Sequence, residues 1–349
     1  MSAPTDGTRR RRRPAGGLAD NLPGDGNGCY LGAMRLLFVM DPVTTILVDE
    51  DTSFALMLEA AGRGHEVHHC LLRELELHEG ELVARCRPAE PRRDPRGPVR
   101  LGPARREPVA GFDVVMVRKD PPFDPPYLWA TLLLEHVREQ CLVVNDPRGL
   151  REANEKLYAL RFPELTPETL VSADPEAIAD FTDRVGGRSV LKPVDGHGGG
   201  GIFVLDREDL NFRALLEAAT ADGSRPVVAQ RFLPEVRRGD KRILLLDGEP
   251  LGAILRVPRE GEARSNIHVG GQVQPTDLDA DDRRIVQALA PSLRADGLWF
   301  VGIDVIGGRL TEVNVTSPTG IQQASRFLGR SLEARVLDWL EARVAGRPG

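Results

Sequence analysis

The chain has 349 residues, of which 41% are hydrophobic and 28% charged, with a formal net charge of -6. That length implies two or three subdomains sharing one cleft, and the composition is that of a globular protein with ample core material. The negative charge excludes a general nucleic-acid binder, and no apolar run approaches the roughly 18 residues that span a bilayer. Cys29, Cys70, Cys86 and Cys141 have neither disulfide-framework nor zinc-ligand spacing, which fits a reducing cytoplasm.

Residues 1–33 open with Arg9 to Arg13, but Pro14, Gly16 and Gly17 follow where a secretion signal needs an apolar segment. They are read as a disordered tail, with nucleic-acid or membrane contact by the arginines as the lesser reading. Leu36 to Met40 is a short apolar run that predicts a buried strand, and Asp51, Thr52 and Ser53 offer caps for a helix ending at Gly62 and Gly64. His65 to Leu72 predicts a second strand, so the three make a parallel βαβ unit. Val114–Val117 and Leu142–Val144 add buried strands around a helix over Tyr127–Gln140. Residues 88–108, rich in Pro and Arg, are expected to be an exposed loop. The first domain is therefore an open α/β sheet over residues 34–153.

From about Glu155 glycine-rich turns separate strands at Ser189–Lys192, Ile202–Leu205, Val227–Gln230, Arg242–Leu246 and Leu251–Arg256, with Asp247-Gly248 as a hairpin turn. Helices are expected over Pro175–Val185, Asp209–Ala221, Asp281–Arg294 and Leu332–Val344. This half is read as two α+β subdomains, 154–235 and 236–349.

Three clusters carry chemistry. In Leu191-Lys192-Pro193-Val194-Asp195-Gly196-His197-Gly198-Gly199-Gly200-Gly201, a strand lysine runs into five glycines within six residues. Such a loop lets backbone N–H groups reach phosphate oxygens beside a fixed cation, although a flexible hairpin has the same composition. In Phe300 to Val315, a Gly307-Gly308 turn makes a hairpin that puts Glu312 and Asn314 on one face and Asp304 near Glu312. Two carboxylates and an amide suit Mg²⁺ (or Mn²⁺) bridged to phosphates, and a solvated polar face is the other reading. Arg242 and Arg256, each within a strand, are candidates for an anionic ligand. Arg264, in the glycine-containing segment 257–272, is read first as a solvated cation and second as a ligand contact. No nucleophile motif is present.

Val39-Met40-Asp41-Pro42, Arg118-Lys119-Asp120-Pro121-Pro122-Phe123-Asp124, Asn154-Glu155-Lys156-Leu157, Leu191-Lys192-Pro193, Asp240-Lys241-Arg242 and Thr311-Glu312-Val313-Asn314-Val315-Thr316-Ser317-Pro318 resemble, in the same order, segments of the prokaryotic glutathione synthetase family. The resemblance spans roughly residues 34 to 345 and implies an ATP-grasp fold behind an N-terminal α/β domain. It implies that Lys156, Lys192 and the loop containing Gly198, Gly199 and Gly200 contact ATP phosphates, that Gln230, Phe232 and Leu233 line the adenine site, and that Asp240 lies near the ribose. It further implies Asp304, Glu312 and Asn314 as Mg²⁺ ligands, Arg242 and Arg256 as catalytic cations, and Arg264, Asn314 and Ser317 at the substrate, with 257–272 as a mobile lid. The implied reaction is ATP-dependent joining of γ-glutamylcysteine and glycine in a cytoplasmic homo-oligomer, a tetramer in the family. The chain departs from the family's usual pattern at Arg231-Phe232, at Gln272 and at Gly320. Another carboxylate–amine ligase of the same fold, or a silent ATP-binding regulator, remains an alternative.

Overall fold

The computed structural model describes residues 32–196, 198–258 and 272–347. The N-terminal part runs β1 (Arg35–Met40), α1 (Thr52–Gly62), β2 (Glu66–Cys70), β3 (Leu75–His78), β4 (Glu81–Pro91), β5 (Val99–Leu101), β6 (Arg105–Pro108), β7 (Val114–Arg118), α2 (Pro125–Leu134), β8 (Leu142–Val144) and α3 (Pro147–Glu152). Strands β2, β1, β7 and β8 are parallel neighbours, as apolar strands joined through helices require. α1 starts where Asp51 accepts the Phe54 amide at 2.7 Å, the expected cap.

Two expectations are corrected here. Residues 88–108 are a loop only at 92–98 and 102–104: the end of β4, β5 and β6 occupy the rest, and β4 pairs antiparallel with β2, β3, β5 and β6. This is the margin of the sheet, where alternating Arg and Glu side chains stay wet and the backbone still pairs. Glu90, for example, receives Arg92 and Arg100 at 2.8 and 3.1 Å. The helix expected to Gln140 stops at Leu134 and continues only as a short 3₁₀ turn to Val137.

The second sheet is built from β9 (Thr169–Ser172), β10 (Arg188–Pro193), β11 (Phe203–Asp206) and β12 (Val227–Arg231), backed by α4 (Pro175–Arg184) and α5 (Phe212–Thr220). Its order is β11-β10-β12-β9 and every pair is antiparallel. The third sheet comprises β13 (Asp240–Leu246), β14 (Glu249–Val257), β15 (Gln272–Pro275), β16 (Phe300–Ile306) and β17 (Arg309–Asn314), in the order β15-β14-β13-β16-β17. Helices α6 (Ala280–Ala295), α7 (Ile321–Leu328) and α8 (Leu332–Ala345) accompany it.

Core composition separates these units mechanically. Leu37, Val39 and Val115 of the first sheet lie in one buried cluster with Ile243, Ile303 and Val313 of the third. The buried Asn145 side chain stitches the same two together, donating to the Phe300 and Val315 carbonyls at 2.9 and 2.8 Å and accepting the Phe300 amide at 2.8 Å. The second sheet instead has its own core of Ile178, Phe181, Leu191, Leu205, Phe212 and Leu216. Among the described residues no apolar cluster spans the gap between it and the third sheet, and the gap is the cleft. Among the described residues no helix is long and apolar enough to cross a membrane.

Candidate active site

A cleft of about 820 Å³ opens between the second and third sheets and is closed at one end by the first domain. Every described candidate lines it: Lys156, Lys192, Gly198, Gly199, Gly200, Gln230, Phe232, Leu233, Asp240, Arg242, Arg256, Asp304, Glu312, Asn314 and Ser317. Arg264, His197 and most of segment 257–272 lie outside the described residues, as does the tail to residue 31.

The glycine loop follows β10. Gly199 and Gly201 take φ of 80° and 70°, a region closed to most side chains, and a Cβ on Gly196 would lie 2.6 Å from Pro193. These constraints explain the residue type and leave backbone facing the cleft. Lys156 reaches the loop from the other side, its ammonium donating to the Gly196 carbonyl at 2.5 Å. The neighbouring Asn154 donates to the Val194 carbonyl at 3.0 Å. Gln230 donates to Thr169 Oγ1 at 3.0 Å, and the Arg188 guanidinium lies over the Phe232 ring, 4.6 Å from its centroid.

Across the cleft, β13, β14 and β16 assemble a buried charge cluster by register alone. Arg242 pairs with Asp304, and Asp240 with Arg256, as direct cross-strand neighbours. Arg242 binds Asp304 through Nε at 2.5 Å and a terminal nitrogen at 3.0 Å. Arg256 reaches Asp240 at 2.5 Å and Asp304 at 2.9 Å. Burial alone would raise the Asp304 carboxyl, but Arg242 and then Arg256 outweigh it and hold it well below the usual carboxylate range. Asp240 goes the other way: burial pushes it up to about 6 against the pull of Arg256. The structure thus places Asp240 in the arginine cluster. Glu312 faces Asp304 on β17 and sits 3.8 Å from Lys192, beyond a hydrogen bond. Asn314 donates to Asp304 at 3.2 Å.

Beneath Glu312, Glu155 accepts from Thr316 Oγ1 at 3.0 Å. Burial pushes its carboxyl up to about 7, with Glu312 adding to the shift. Asp304, Glu312 and Asn314 therefore present hard oxygen ligands at one spot, and among the described residues Glu312 meets only the long Lys192 pair, so the donor set fits a divalent ion.

At the first-domain end of the cleft stand Asp41, Asp51, Thr52, Ser53 and Arg118, of which sequence reasoning gave Asp51, Thr52 and Ser53 only a helix-capping role and Asp41 and Arg118 no individual one. Arg118 ends an apolar strand, and its partners Ser53 and Pro318 are distant in sequence, so no local pattern marks it. Elsewhere, ligand atoms of His68, Cys86 and Glu107 lie within 4.8 Å of one another. There Glu107 is engaged by Arg35, and burial raises the Cys86 thiol to about 11.

Two α+β sheets gripping a cleft floored by lysines, glycines and carboxylates define an ATP-dependent ligase of the ATP-grasp fold. The chain superposes on D-cycloserine synthetase DcsG with a TM-score of 0.60 at 17% identity, covering 88% of this chain and 99% of that one. ATP-grasp ligase PsnB, complexed with precursor peptide PsnA2 and AMPPNP, gives 0.58 at 17%, covering 90% and 100%. More narrowly, the chain belongs to the prokaryotic glutathione synthetase family, whose N-terminal domain matches residues 34–151 and whose ATP-grasp domain matches 155–329. The glutathione synthetase of Gloeobacter violaceus is 48% identical over 315 residues, 88% of this chain and 96% of that protein. That of Vibrio parahaemolyticus is 42% identical over 315 residues, 90% and 99% respectively.

Proposed function

We propose that this ligase makes glutathione from γ-glutamylcysteine and glycine, with ATP consumed through an acyl phosphate. The observation that carries this reading is the buried Arg242–Asp304–Arg256 cluster facing the glycine loop across one cleft. A cysteinyl carboxylate oxygen would attack the γ-phosphorus of ATP and ADP would leave. The glycine amine would then attack the acyl carbon, forming the amide as phosphate departs and a proton is lost. Both steps bring anions together, so positioned cations do most of the work. Lys156 and Lys192 would hold phosphate oxygens against the loop, Gln230, Phe232 and Leu233 would flank adenine, and Arg242 and Arg256 would turn from Asp304 toward the reacting anion. Asn314 and Ser317 would position the peptide.

Mg²⁺, with Mn²⁺ able to replace it, would be held by Asp304, Glu312 and Asn314. When bound it supplies charge neutralisation at the phosphates. Arg264 and segment 257–272 are proposed to cover the acyl phosphate against water. A cytoplasmic homo-oligomer completes the reading, and sedimentation tests its assembly state.

The deciding experiment measures ADP release with ATP and Mg²⁺, with and without γ-glutamylcysteine plus glycine, together with mass spectrometry of the product. Release that requires both substrates and yields the tripeptide is expected. Release without tripeptide, or driven by other amines equally well, would show a different ligase.

A further inference from the structure

His68, Cys86 and Glu107 stand on the first sheet, and none of them lines the cleft. Register brings them together. β4 runs between β2 and β6, pairing Pro88 with His68 and Ala84 with Glu107, so Cys86 is the diagonal neighbour of both on one face. Their ligand atoms all lie within 4.8 Å of one another, and Cys86 Sγ is 3.9 Å from His68 Nδ1. Zinc bonds of about 2.3 Å to sulfur and 2.1 Å to nitrogen, at a tetrahedral angle, put those two atoms about 3.6 Å apart. The pair is thus within a few tenths of an ångström of ligand spacing. His68 and Cys86 are 18 residues apart along the chain, which is why cysteine spacing gave no sign of the cluster.

Each group is prepared for a cation in its own way. His68 is 6% exposed and meets the Phe112 ring edge to face at 5.2 Å; burial lowers its pKa, which leaves the imidazole neutral with a lone pair to give. Its other nitrogen, Nε2, lies 3.8 Å from a Glu66 carboxylate oxygen, and a carboxylate so placed fixes the tautomer of a ligating imidazole. Cys86 is fully buried, and burial raises its thiol to about 11. Such a thiol is a poor nucleophile, so this cysteine, histidine and glutamate do not make a hydrolytic triad, whereas a metal strips the proton from a coordinating thiol. Glu107 reaches the cluster from the rim, with its side chain 21% exposed, and pairs with Arg35 through Oε2. Arg35 also holds Glu66 at 3.3 Å and the Gly111 carbonyl at 2.9 Å, so it keeps partners when Glu107 is shared.

We propose that His68, Cys86 and Glu107 bind one zinc ion, with Glu66 positioning the imidazole and water filling the fourth place. Mixed nitrogen, sulfur and oxygen donors suit zinc, and the sulfur rules out Mg²⁺. One thiolate and one carboxylate balance the two positive charges, so the ion can be buried without net charge. On binding, the Cys86 proton passes to water and no other covalent bond changes. The ion ties β2, β4 and β6 together at the arginine-rich margin of the first sheet, and it takes no part in ligation. Its donor set separates it from Asp304, Glu312 and Asn314, which offer oxygen alone.

The test titrates the full-length, nucleotide-free protein with Co²⁺, which reports a thiolate ligand by a sulfur-to-cobalt charge-transfer band that an all-oxygen site cannot give. One equivalent should develop the band, Zn²⁺ should abolish it, and excess Mg²⁺ should leave it in place. Cys86→Ser and His68→Gln should remove it, with ligase turnover unchanged as evidence of an intact fold. Glu107→Gln and Glu66→Gln should keep it at saturation but weaken the metal by about tenfold or more. Cys29→Ser, Cys70→Ser and Glu312→Gln should not affect it. At 100 times its Kd, Zn²⁺ should raise the melting temperature of the wild type by about 3–8 °C and leave that of Cys86→Ser unmoved. The site is overturned if there is no band, if Mg²⁺ displaces it, if it survives Cys86→Ser, or if it vanishes in Cys29→Ser or Cys70→Ser. Should Cys86→Ser fold poorly, Glu107→Gln decides, and unchanged metal affinity there overturns the site equally.

Discussion

Arg242 grips both carboxylate oxygens of Asp304, through Nε at 2.5 Å and a terminal nitrogen at 3.0 Å, while Glu312, one strand away, pairs with Lys192 only at 3.8 Å among the described residues. The two carboxylates proposed to bind one metal therefore differ in what they do for the fold. Asp304→Asn leaves two buried guanidiniums short of charge, a change worth about 3 kcal/mol, and should lower the melting temperature by about 5–10 °C. Glu312→Gln should shift it by less than about 2 °C, since its pair is long and partly exposed. Both should reduce turnover at least about 100-fold. Equal melting temperatures for the two variants would show that the arginine cluster is not holding the fold.

Glu155 offers a pH-dependent signature in the ligand-free, metal-free protein. Its carboxyl is raised from 4.5 to about 7, first by burial and then by Glu312. Below pH 4.5 it is protonated folded or unfolded and contributes its full stabilisation; that is lost as pH rises through about 7. Glu155→Gln keeps an acceptor for Thr316 and removes the charge. It should match wild type near pH 4.5 and exceed it above pH 7 by up to about 3 kcal/mol. Melting curves across that range in EDTA check this, and a constant gap would show another cause.

Much of this site can be read along the chain, because hairpins carry local signals. Gly307 and Gly308 take φ of 55° and 72° between two apolar runs, and that turn, together with a one-residue register shift between Asp304 and Val305, sets Asp304 opposite Glu312. The lysine and glycines of the loop are contiguous. Arg118 is different in kind: its neighbours Ser53 and Pro318 are 65 and 200 residues away, and only the packing of the first sheet on the third brings them together. Strands β4 to β6 were hidden for another reason. β4 alternates only as far as Cys86, burying Leu82, Ala84 and Cys86 on one face, after which Pro88 and Pro91 interrupt the pattern, and β5 and β6 are too short to show one.

Gly302 has ordinary backbone geometry, so its identity is a matter of space. A Cβ there would meet Arg242 Cδ and Pro318 Cβ at 3.0 Å each. Gly302→Ala should destabilise by about 1–3 kcal/mol through overpacking and displace Arg242 from Asp304. Turnover should fall about tenfold or more with the Kd for ATP unchanged, because the crowding lies on the acyl side of the cleft. Weaker ATP binding in calorimetry with normal turnover would place Arg242 on the nucleotide instead.

Two side chains hold the glycine loop before nucleotide arrives. Lys156 donates to the Gly196 carbonyl at 2.5 Å and Asn154 to the Val194 carbonyl at 3.0 Å, while Asn154 Oδ1 accepts the Lys156 and Leu157 amides, each at 3.0 Å. Asn154 thus fixes the short segment that carries Lys156, and both side chains pin the same stretch of loop. Removing either frees a flexible, glycine-rich backbone whose ordering must then be met from ATP binding energy. Lys156→Met removes the pin and a phosphate cation together and should raise KM for ATP about 10–100-fold. Asn154→Ala removes only the pin and should raise it about 3–10-fold. Because both act on one loop, the double variant should fall short of the product by a coupling of about 0.5 kcal/mol or more. Steady-state kinetics on the four proteins measures that coupling. Strict additivity would mean that Lys156 meets phosphate independently of the loop, and that Asn154 merely supports its own turn.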